Sequence, residues 1–259
     1  MTPKPFSRDS LVDQLHALGV RPGDVLMVHS SFRAVRPVEG GPQGVVEALL
    51  RAVGANGTVV MPSWTGDGDH PFDPTATATA TDLGVIADTL WRQPGSVRSS
   101  HPFAFAAAGP YAKRITSDAL PIPPHRLESP VGRVWELDGQ ILLLGVGHDA
   151  NTTIHLAEVM ADVPYRVPKH VVDVRAGGPV RIEYRENDHC CQRFALADQW
   201  LRERGLQRES QVGNAQARLV RSRDVVEVIV DQLRRAPTLF LHPRSAGCAE
   251  CEQAWESIG

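Results

Sequence analysis

The apolar residues of this chain alternate between short continuous runs and helical spacing, a pattern typical of a sheet covered by helices. Continuous runs that indicate strands buried on both faces occupy residues 25–28, 57–62 and 141–144. Helical spacing, with capping residues at the ends, occupies residues 11–18, 45–53 and 83–91. We therefore predict an α/β fold with a central sheet flanked by helices.

After Pro168 the pattern changes. Residues 171–174 and 180–184 are predicted to form a hairpin joined by Gly177 and Gly178. Amphipathic helices are predicted over 190–203 and 224–235, and a last strand over 238–241. No internal repeat or linker interrupts the chain, which predicts a single domain over residues 1–259.

Composition narrows the class of protein. The net charge is −3, and Lys and Arg do not cluster, so nothing indicates a nucleic-acid partner. No apolar run approaches the length of a membrane span, and the N-terminus lacks a signal-peptide core, which favours a cytoplasmic protein without a membrane partner. Either a monomer or a homodimer fits these observations.

Acidic residues cluster in two places, although the chain as a whole is nearly neutral. One group contains Asp67, Asp69 and Asp73 and runs into a low-complexity loop over 67–81; the other contains Glu183, Glu186 and Asp188. Such groups usually belong to solvated loops. If the two groups line one cleft, they attract a polycation.

The stretch over 141–160 is the strongest candidate for chemistry. A buried strand ends at Gly145 and Gly147, and polar capping residues then begin a helix that carries His155 in its first turn. The positive end of the helix dipole is expected to keep this imidazole neutral near pH 7, as a general base requires. The alternative is a capping or packing histidine.

His29, Ser30 and Ser31 follow another predicted strand. Open α/β sheets bind ligands at the carboxyl ends of their strands, so these side chains are candidates for ligand contact. The alternative is a simple helix N-cap. There is no Gly-rich phosphate loop in the chain.

The four cysteines form two groups, Cys190 with Cys191 and Cys248 with Cys251. Disulfides are improbable in a cytoplasmic protein, and a Cys-x-x-Cys pair with a distant second pair fits a structural zinc site, with His189 as a possible substitute ligand. Buried free thiols are the alternative.

Several short motifs occur together in a fixed order. They are Val28-His-Ser-Ser31, Gly57-Thr-Val-Val-Met-Pro62, Arg98-Ser-Ser-His-Pro102, Phe105-Ala-Ala-Ala-Gly109, Ser129-Pro130, and Asn151-Thr-Thr-Ile-His155 with Glu158. The ordered set resembles the aminoglycoside 3-N-acetyltransferase family, antibiotic-resistance enzymes that use acetyl-CoA. Glu186-Asn-Asp-His-Cys-Cys191 and the closing cysteines resemble its type IV branch, which accepts apramycin and gentamicin.

The resemblance implies the family's own α/β fold and not the small acetyltransferase fold with a pyrophosphate loop. It implies that His155 is the catalytic base, with Glu186 and Asp188 as acidic partners or substrate ligands, and that Asp67 and Asp69 also hold the antibiotic. The residues expected to line the acetyl-CoA cleft are His29, Ser30, Ser31, Phe32, Arg33, Ser99, Phe105 and Gly147.

Two other classes of function remain as alternatives. The first is a hydrolase that uses Cys190 or Cys191 as the nucleophile with a nearby histidine. The second is a non-catalytic binding module stabilised by zinc.

Overall fold

The computed structural model describes residues 4–116 and 119–258. The helices are α1 (Arg8–Leu18), α2 (Phe32–Val35), α3 (Gly41–Val53), α4 (Gly84–Trp91), α5 (Ala112–Ile115), α6 (Pro130–Glu136), α7 (Thr153–Met160), α8 (Leu196–Glu203), α9 (Ser222–Arg235) and α10 (Ala249–Glu256). The strands are β1 (Val25–Ser30), β2 (Thr58–Pro62), β3 (Val97–Arg98), β4 (Phe105–Ala108), β5 (Gln140–Leu144), β6 (Val167–Arg175), β7 (Gly178–Glu186), β8 (Gln207–Val212) and β9 (Ala215–Arg221).

The central sheet has seven strands in the order β3-β4-β2-β1-β5-β9-β8. Its middle is parallel, because β1 pairs in parallel with both β2 and β5. Its flanks are antiparallel, with β4 against β2 and β9 against β5. The predicted α/β fold with a central sheet flanked by helices is confirmed. The predicted hairpin is also present, as the separate two-stranded sheet of β6 and β7.

Each face of the sheet carries its own hydrophobic core. On one face α1, α3 and α4 bury residues such as Leu15, Leu49 and Ile86 against the sheet. On the other face α7 and α9 bury Ile154 and Ile229. Both faces are covered, so the central strands read as continuous apolar runs. None of the helices over 4–116 and 119–258 has the length and apolar character needed to cross a membrane.

The predicted strand over 238–241 is wrong. The backbone there forms tight turns, in which the amides of Leu239 and Leu241 bond to the carbonyls of Ala236 and Thr238, and Phe240 enters the core from a turn. The C-terminal strands are instead β8 and β9, which the sequence analysis missed. Strand β8 lies at the sheet edge and exposes most of its polar residues, so it lacks the apolar run that identified the central strands.

The low-complexity loop is anchored by Arg98. Its guanidinium lies over the rings of Phe72 and Trp91, at 4.7 and 4.4 Å from their centroids. It donates to the backbone carbonyl of Thr77 at 2.6 Å and to that of Ser63. The buried Arg98 guanidinium therefore fastens the part of the loop between Phe72 and Thr77 to the residue that follows β2.

The carboxyl ends of β1, β2 and β5 meet at one edge of the sheet. Strands β2 and β5 lie on opposite sides of β1, and the chain continues from β1 to β2. A crevice is therefore expected at the carboxyl end of β1. Gly145 ends β5 at a φ of +75°, where an added Cβ would lie 2.5 Å from the Cβ of Ala34. Glycine is required there for the backbone to turn toward the crevice.

Candidate functional site

A cavity of about 270 Å³ occupies this crevice. We call it the His155 cavity. Its walls come from the ends of β1 and β2, the turn after β5, the start of α7 and the segment before α8. Its polar lining residues include His29, Ser30, Asp149, Asn151, Thr152, His155 and Cys191, and Trp64 and Phe194 add aromatic surface.

His155 is held by a carboxylate on its own helix. Glu158 lies three residues further along α7, so both side chains are on the same helix face. The Nδ1 of His155 lies 2.8 Å from Oε2 of Glu158. An ionised carboxylate only accepts hydrogen bonds, so Nδ1 carries a proton and donates it. Nε2 therefore faces the cavity, 3.4 Å from Sγ of Cys191.

Glu158 is completely buried and accepts from four donors. Besides His155, its oxygens accept from Nε2 of His189 at 2.7 Å, the hydroxyl of Tyr165 at 2.5 Å and the amide of Asn187 at 3.2 Å. Burial opposes the charge, but His189 and His155 outweigh burial and lower the pKa of Glu158 to about 2. The carboxylate is therefore ionised throughout the working pH range and fixes the orientation of His155.

Of the two roles predicted for Glu186 and Asp188, that of an acidic partner bonded to His155 is wrong. The Asp188 carboxylate pairs with the ammonium of Lys169, and Glu186 accepts from the hydroxyl of Tyr184 at 3.3 Å. The side chain that bonds to His155 is that of Glu158. The signal in the sequence was the three-residue spacing of a histidine and an acid on one predicted helix.

The prediction that the helix start keeps His155 neutral is also wrong. Burial lowers the pKa of His155, but the contacts to Cys191 and Glu158 outweigh burial, and the pKa lies well above its ordinary value. Side chains in direct contact, here Cys191 and Glu158, have a larger effect on the pKa of His155 than the partial charge of a helix end. His155 must therefore lose a proton before it can act as a base.

His29 is the second imidazole of the His155 cavity, and its pKa is shifted in the opposite direction to that of His155. It is the fifth residue of β1, only 5% exposed, and its Nε2 lies 3.4 Å from the hydroxyl of Thr152. Burial, with a smaller contribution from His148, lowers the pKa of His29 to about 3. The cavity thus pairs one neutral imidazole with one that is readily protonated.

The other residues predicted to line the acetyl-CoA cleft include some near the His155 cavity and one that is buried elsewhere. Ser31, Phe32 and Arg33 continue from β1 into α2, and Gly147 lies in the turn beside the cavity. Ser99 is fully buried, and its hydroxyl accepts from the Phe105 amide at 3.2 Å. The prediction that Ser99 lines the cleft is therefore wrong, because its hydroxyl fastens β3 to β4.

A second cavity, of about 450 Å³, lies between the loop after β2 and the β6–β7 hairpin. We call it the acidic cavity. Asp67, Asp69 and Glu186 all line it, so the structure brings the two acidic groups of the sequence together. Asp69 is already paired with Nε2 of His170 at 2.7 Å, and Asp67 with Nδ1 of His70 at 2.7 Å.

A third cavity, of about 290 Å³, adjoins these two and contains residues that the sequence analysis missed. Trp64 lines all three cavities. His125 lines the third, and its ring stacks on that of His155 with centroids 4.8 Å apart and planes 23° apart. His125 lies in a proline-rich loop far from His155 in the chain, so no local pattern identified it.

The structure groups the four cysteines differently from the prediction. The sulfur atoms of Cys190, Cys248 and Cys251 lie within 4.8 Å of one another. The prediction that Cys191 joins them is wrong, because its sulfur faces His155. His189 is also excluded as a substitute ligand, since its two ring nitrogens bond to Glu158 and to the backbone carbonyl of Cys190.

Comparison with known proteins gives a consistent result. A family model described as aminoglycoside 3-N-acetyltransferase matches residues 27–234. Aminoglycoside N(3)-acetyltransferase IV from Salmonella sp. is 62% identical over 93% of each chain. A histidine-to-alanine mutant of aminoglycoside acetyltransferase AAC(3)-IVa, in complex with a gentamicin, superposes with a TM-score of 0.97 at 60% identity over 100% of each chain.

A more distant structure has the same fold. AAC-IIIb, binary with CoASH, superposes with a TM-score of 0.81 at 27% identity, over 90% of this chain and 97% of that one. Both the family model and the type IV relative agree with the resemblance seen in the sequence motifs. The chain belongs to the aminoglycoside 3-N-acetyltransferase family and is an antibiotic-resistance acyltransferase.

Proposed function

We propose that the chain transfers an acetyl group from acetyl-CoA to the 3-amino group of an aminoglycoside, with His155 as the general base. The observation that carries the proposal is the pair of His155 and Glu158, in which Nδ1 is fixed and Nε2 opens to a cavity. The complexes of relatives with CoASH and with a gentamicin support the two substrates. Membership of an enzyme family also argues against a non-catalytic binding module.

The chemistry follows from this geometry. An amine that attacks a thioester must lose a proton as the new C–N bond forms, and the Nε2 lone pair of His155 accepts that proton. Glu158 stabilises the imidazolium that results, as the acid of a catalytic triad does. When the C–S bond breaks, the imidazolium returns the proton to the CoA thiolate.

In this proposal, the His155 cavity and the acidic cavity each hold one of the two substrates. The thioester end of acetyl-CoA lies in the His155 cavity, beside His29 and Ser30. The aminoglycoside lies in the acidic cavity, whose carboxylates attract its ammonium groups. Release of free CoA from acetyl-CoA that depends on an added aminoglycoside is the direct test, and a chain that releases none refutes the proposal.

One observation favours a second route. The sulfur of Cys191 lies 3.4 Å from Nε2 of His155, which is the arrangement of a thiol nucleophile and its base. In that route Cys191 first takes the acetyl group and then passes it to the amine. The two routes make opposite predictions for a variant without the thiol.

For Cys191→Ala, we expect turnover to persist and its pH dependence to move. The contact with Cys191 raises the pKa of His155, so its removal lowers that pKa. Because His155 acts in its deprotonated form, the acidic limb of kcat/KM should shift to lower pH. A loss of about 10³-fold or more at every pH, together with acetyl-labelled Cys191 in the wild type, supports the thiol route instead.

We also infer that Cys190, Cys248 and Cys251 hold a structural zinc ion. Three thiols that converge within 4.8 Å suit this metal, which prefers sulfur ligands. Burial raises the pKa of Cys190 to about 12, whereas bonds from the Cys251 amide lower that of Cys248. The ion would tie the segment that carries His189 and Cys191 to α10.

The purified protein should then contain about one zinc ion per chain, and chelation should lower its Tm. Cys251→Ser should lose the metal. Cys191→Ser is the matched control and should keep it, because its sulfur lies outside the cluster. Elemental analysis that finds no metal in protein purified without chelators rules out the site.

A further inference from the structure

The proposed reaction requires the substrate nitrogen to lose two protons. At neutral pH the amine arrives as an ammonium ion, and the product amide carries one hydrogen on nitrogen. One of the two protons ends on the CoA thiol. His155 has a single free nitrogen and carries one proton at a time, so the other proton needs a second acceptor, which is either solvent or another side chain.

Glu186 differs from the other acids of the acidic cavity. Asp67 and Asp69 have exposed carboxylates, each paired with a histidine. The side chain of Glu186 is only 18% exposed, and it lines both the acidic cavity and the third cavity beside His125. It is therefore the acid that lies between the substrate cleft and the catalytic histidine.

The surroundings of Glu186 suit a group that takes up and releases protons. The titratable groups that face it are Lys169 on β6, Tyr184 on β7, Asp188 after β7, His125 in the loop before α6 and His155 on α7. Burial is the largest influence and raises the pKa of Glu186 to about 7; Asp188 raises it further, and His155, Lys169 and Tyr184 oppose the rise. Both protonation states are accessible at neutral pH.

His125 separates Glu186 from His155. Its Nδ1 lies 3.8 Å from Oε1 of Glu186, and its ring stacks on His155. Burial first, and His155 second, lower the pKa of His125 well below its ordinary value, although Glu158 opposes this. The His125 ring in this position lies between the Glu186 carboxylate and the His155 imidazole.

We propose that Glu186 accepts the first proton of the substrate ammonium, behind the ring of His125, and leaves His155 free for the second. The inference rests on the proposed function. The ammonium gives one proton to the Glu186 carboxylate, and the free amine attacks the acetyl carbon. His155 takes the second proton and delivers it to the thiolate as the C–S bond breaks. Glu186 then returns its proton to solvent through the acidic cavity, so the products are amide, CoA thiol and one released proton.

The test is the pH dependence of Glu186→Gln. This variant keeps the shape of the side chain and an oxygen that accepts from Tyr184, but it cannot take up a proton. We expect kcat/KM to fall by on the order of 10²-fold at neutral pH. The deficit should shrink to about tenfold or less as rising pH supplies amine that is already deprotonated.

Asp69→Asn is the matched control. It removes a carboxylate charge from the acidic cavity, which Glu186 also lines, but the Asp69 carboxylate is exposed, pairs with His170 and is not among the groups that shift the pKa of Glu186. We expect it to raise KM for the aminoglycoside by the same factor at every pH. If Glu186→Gln behaves like this control, or retains full activity at neutral pH, Glu186 does not take the proton. An inactive wild type would instead refute the proposed function, so the two failures are distinct.

Discussion

His155→Ala is expected to fold normally and to lose acetyl transfer by a factor on the order of 10²–10⁴, the usual contribution of a general base. The loss should fall on kcat, because Nε2 acts on the amine proton while the bond forms and contributes little to substrate binding. Steady-state assays of CoA release with an aminoglycoside acceptor measure the effect.

His16→Ala is a suitable control, since it removes a half-buried histidine whose Nε2 bonds to the Ala52 carbonyl on the opposite face of the sheet. Its turnover should stay near that of the wild type. If His155→Ala also turns over normally while its Tm is unchanged, the assignment of His155 as the base is incorrect.

Glu158→Gln is expected to damage both stability and catalysis. In glutamine, an amide nitrogen replaces one of the two carboxylate oxygens. That nitrogen would face the donors of Tyr165 and His189, or those of Asn187 and His155, and two donors cannot form a hydrogen bond with each other. Breaking a buried charged network of this kind costs about 3–5 kcal/mol of stability. The imidazole of His155 also loses the partner that fixes its tautomer, and a rate loss on the order of 10⁴-fold is expected.

The pH dependence of unfolding checks the same site. The pKa of Glu158 is lowered from 4.5 to about 2 in the folded chain, so its stabilising contribution is present above pH 4.5. That contribution is lost as the pH falls from about 4.5 toward 2, and Glu158→Gln should lack this part of the acid sensitivity.

Glu136→Gln on α6 is the control, because its carboxylate is one-third exposed and pairs with Arg133 at the surface. A change of about 0–1 kcal/mol is expected there. If Glu158→Gln has an equally small effect on Tm and rate, the buried network does not support His155.

The placement of Glu158 shows where local pattern was sufficient and where it was incomplete. The periodicity of residues 153–160 predicted α7, and helix geometry then dictates that residues three apart share a face. Glu186 and Asp188 were predicted to be the acidic partners of His155, although Glu158 is the residue that bonds to it. Only the packing of β6 and β7 reveals that Lys169 neutralises Asp188.

The sequence by itself determined the elements that depend on periodicity: the buried strands β1, β2 and β5, the helices that cover them, and the position of His155 at a strand-to-helix turn. Its ordered motifs also identified the family. These features are local, because hydrophobic spacing and capping residues act within a few residues of each other.

Tertiary structure decided the contacts between distant segments. It brought His125 onto His155, His189 onto Glu158, and Cys190 beside Cys248 and Cys251, while it turned Cys191 toward the imidazole. It also reversed the expected charge preference of His155, because the contacts with Cys191 and with the Glu158 carboxylate raise the pKa of His155 despite its burial. Burial and contacts across the chain have no signature in local spacing, and these long-range terms set the protonation states on which catalysis depends.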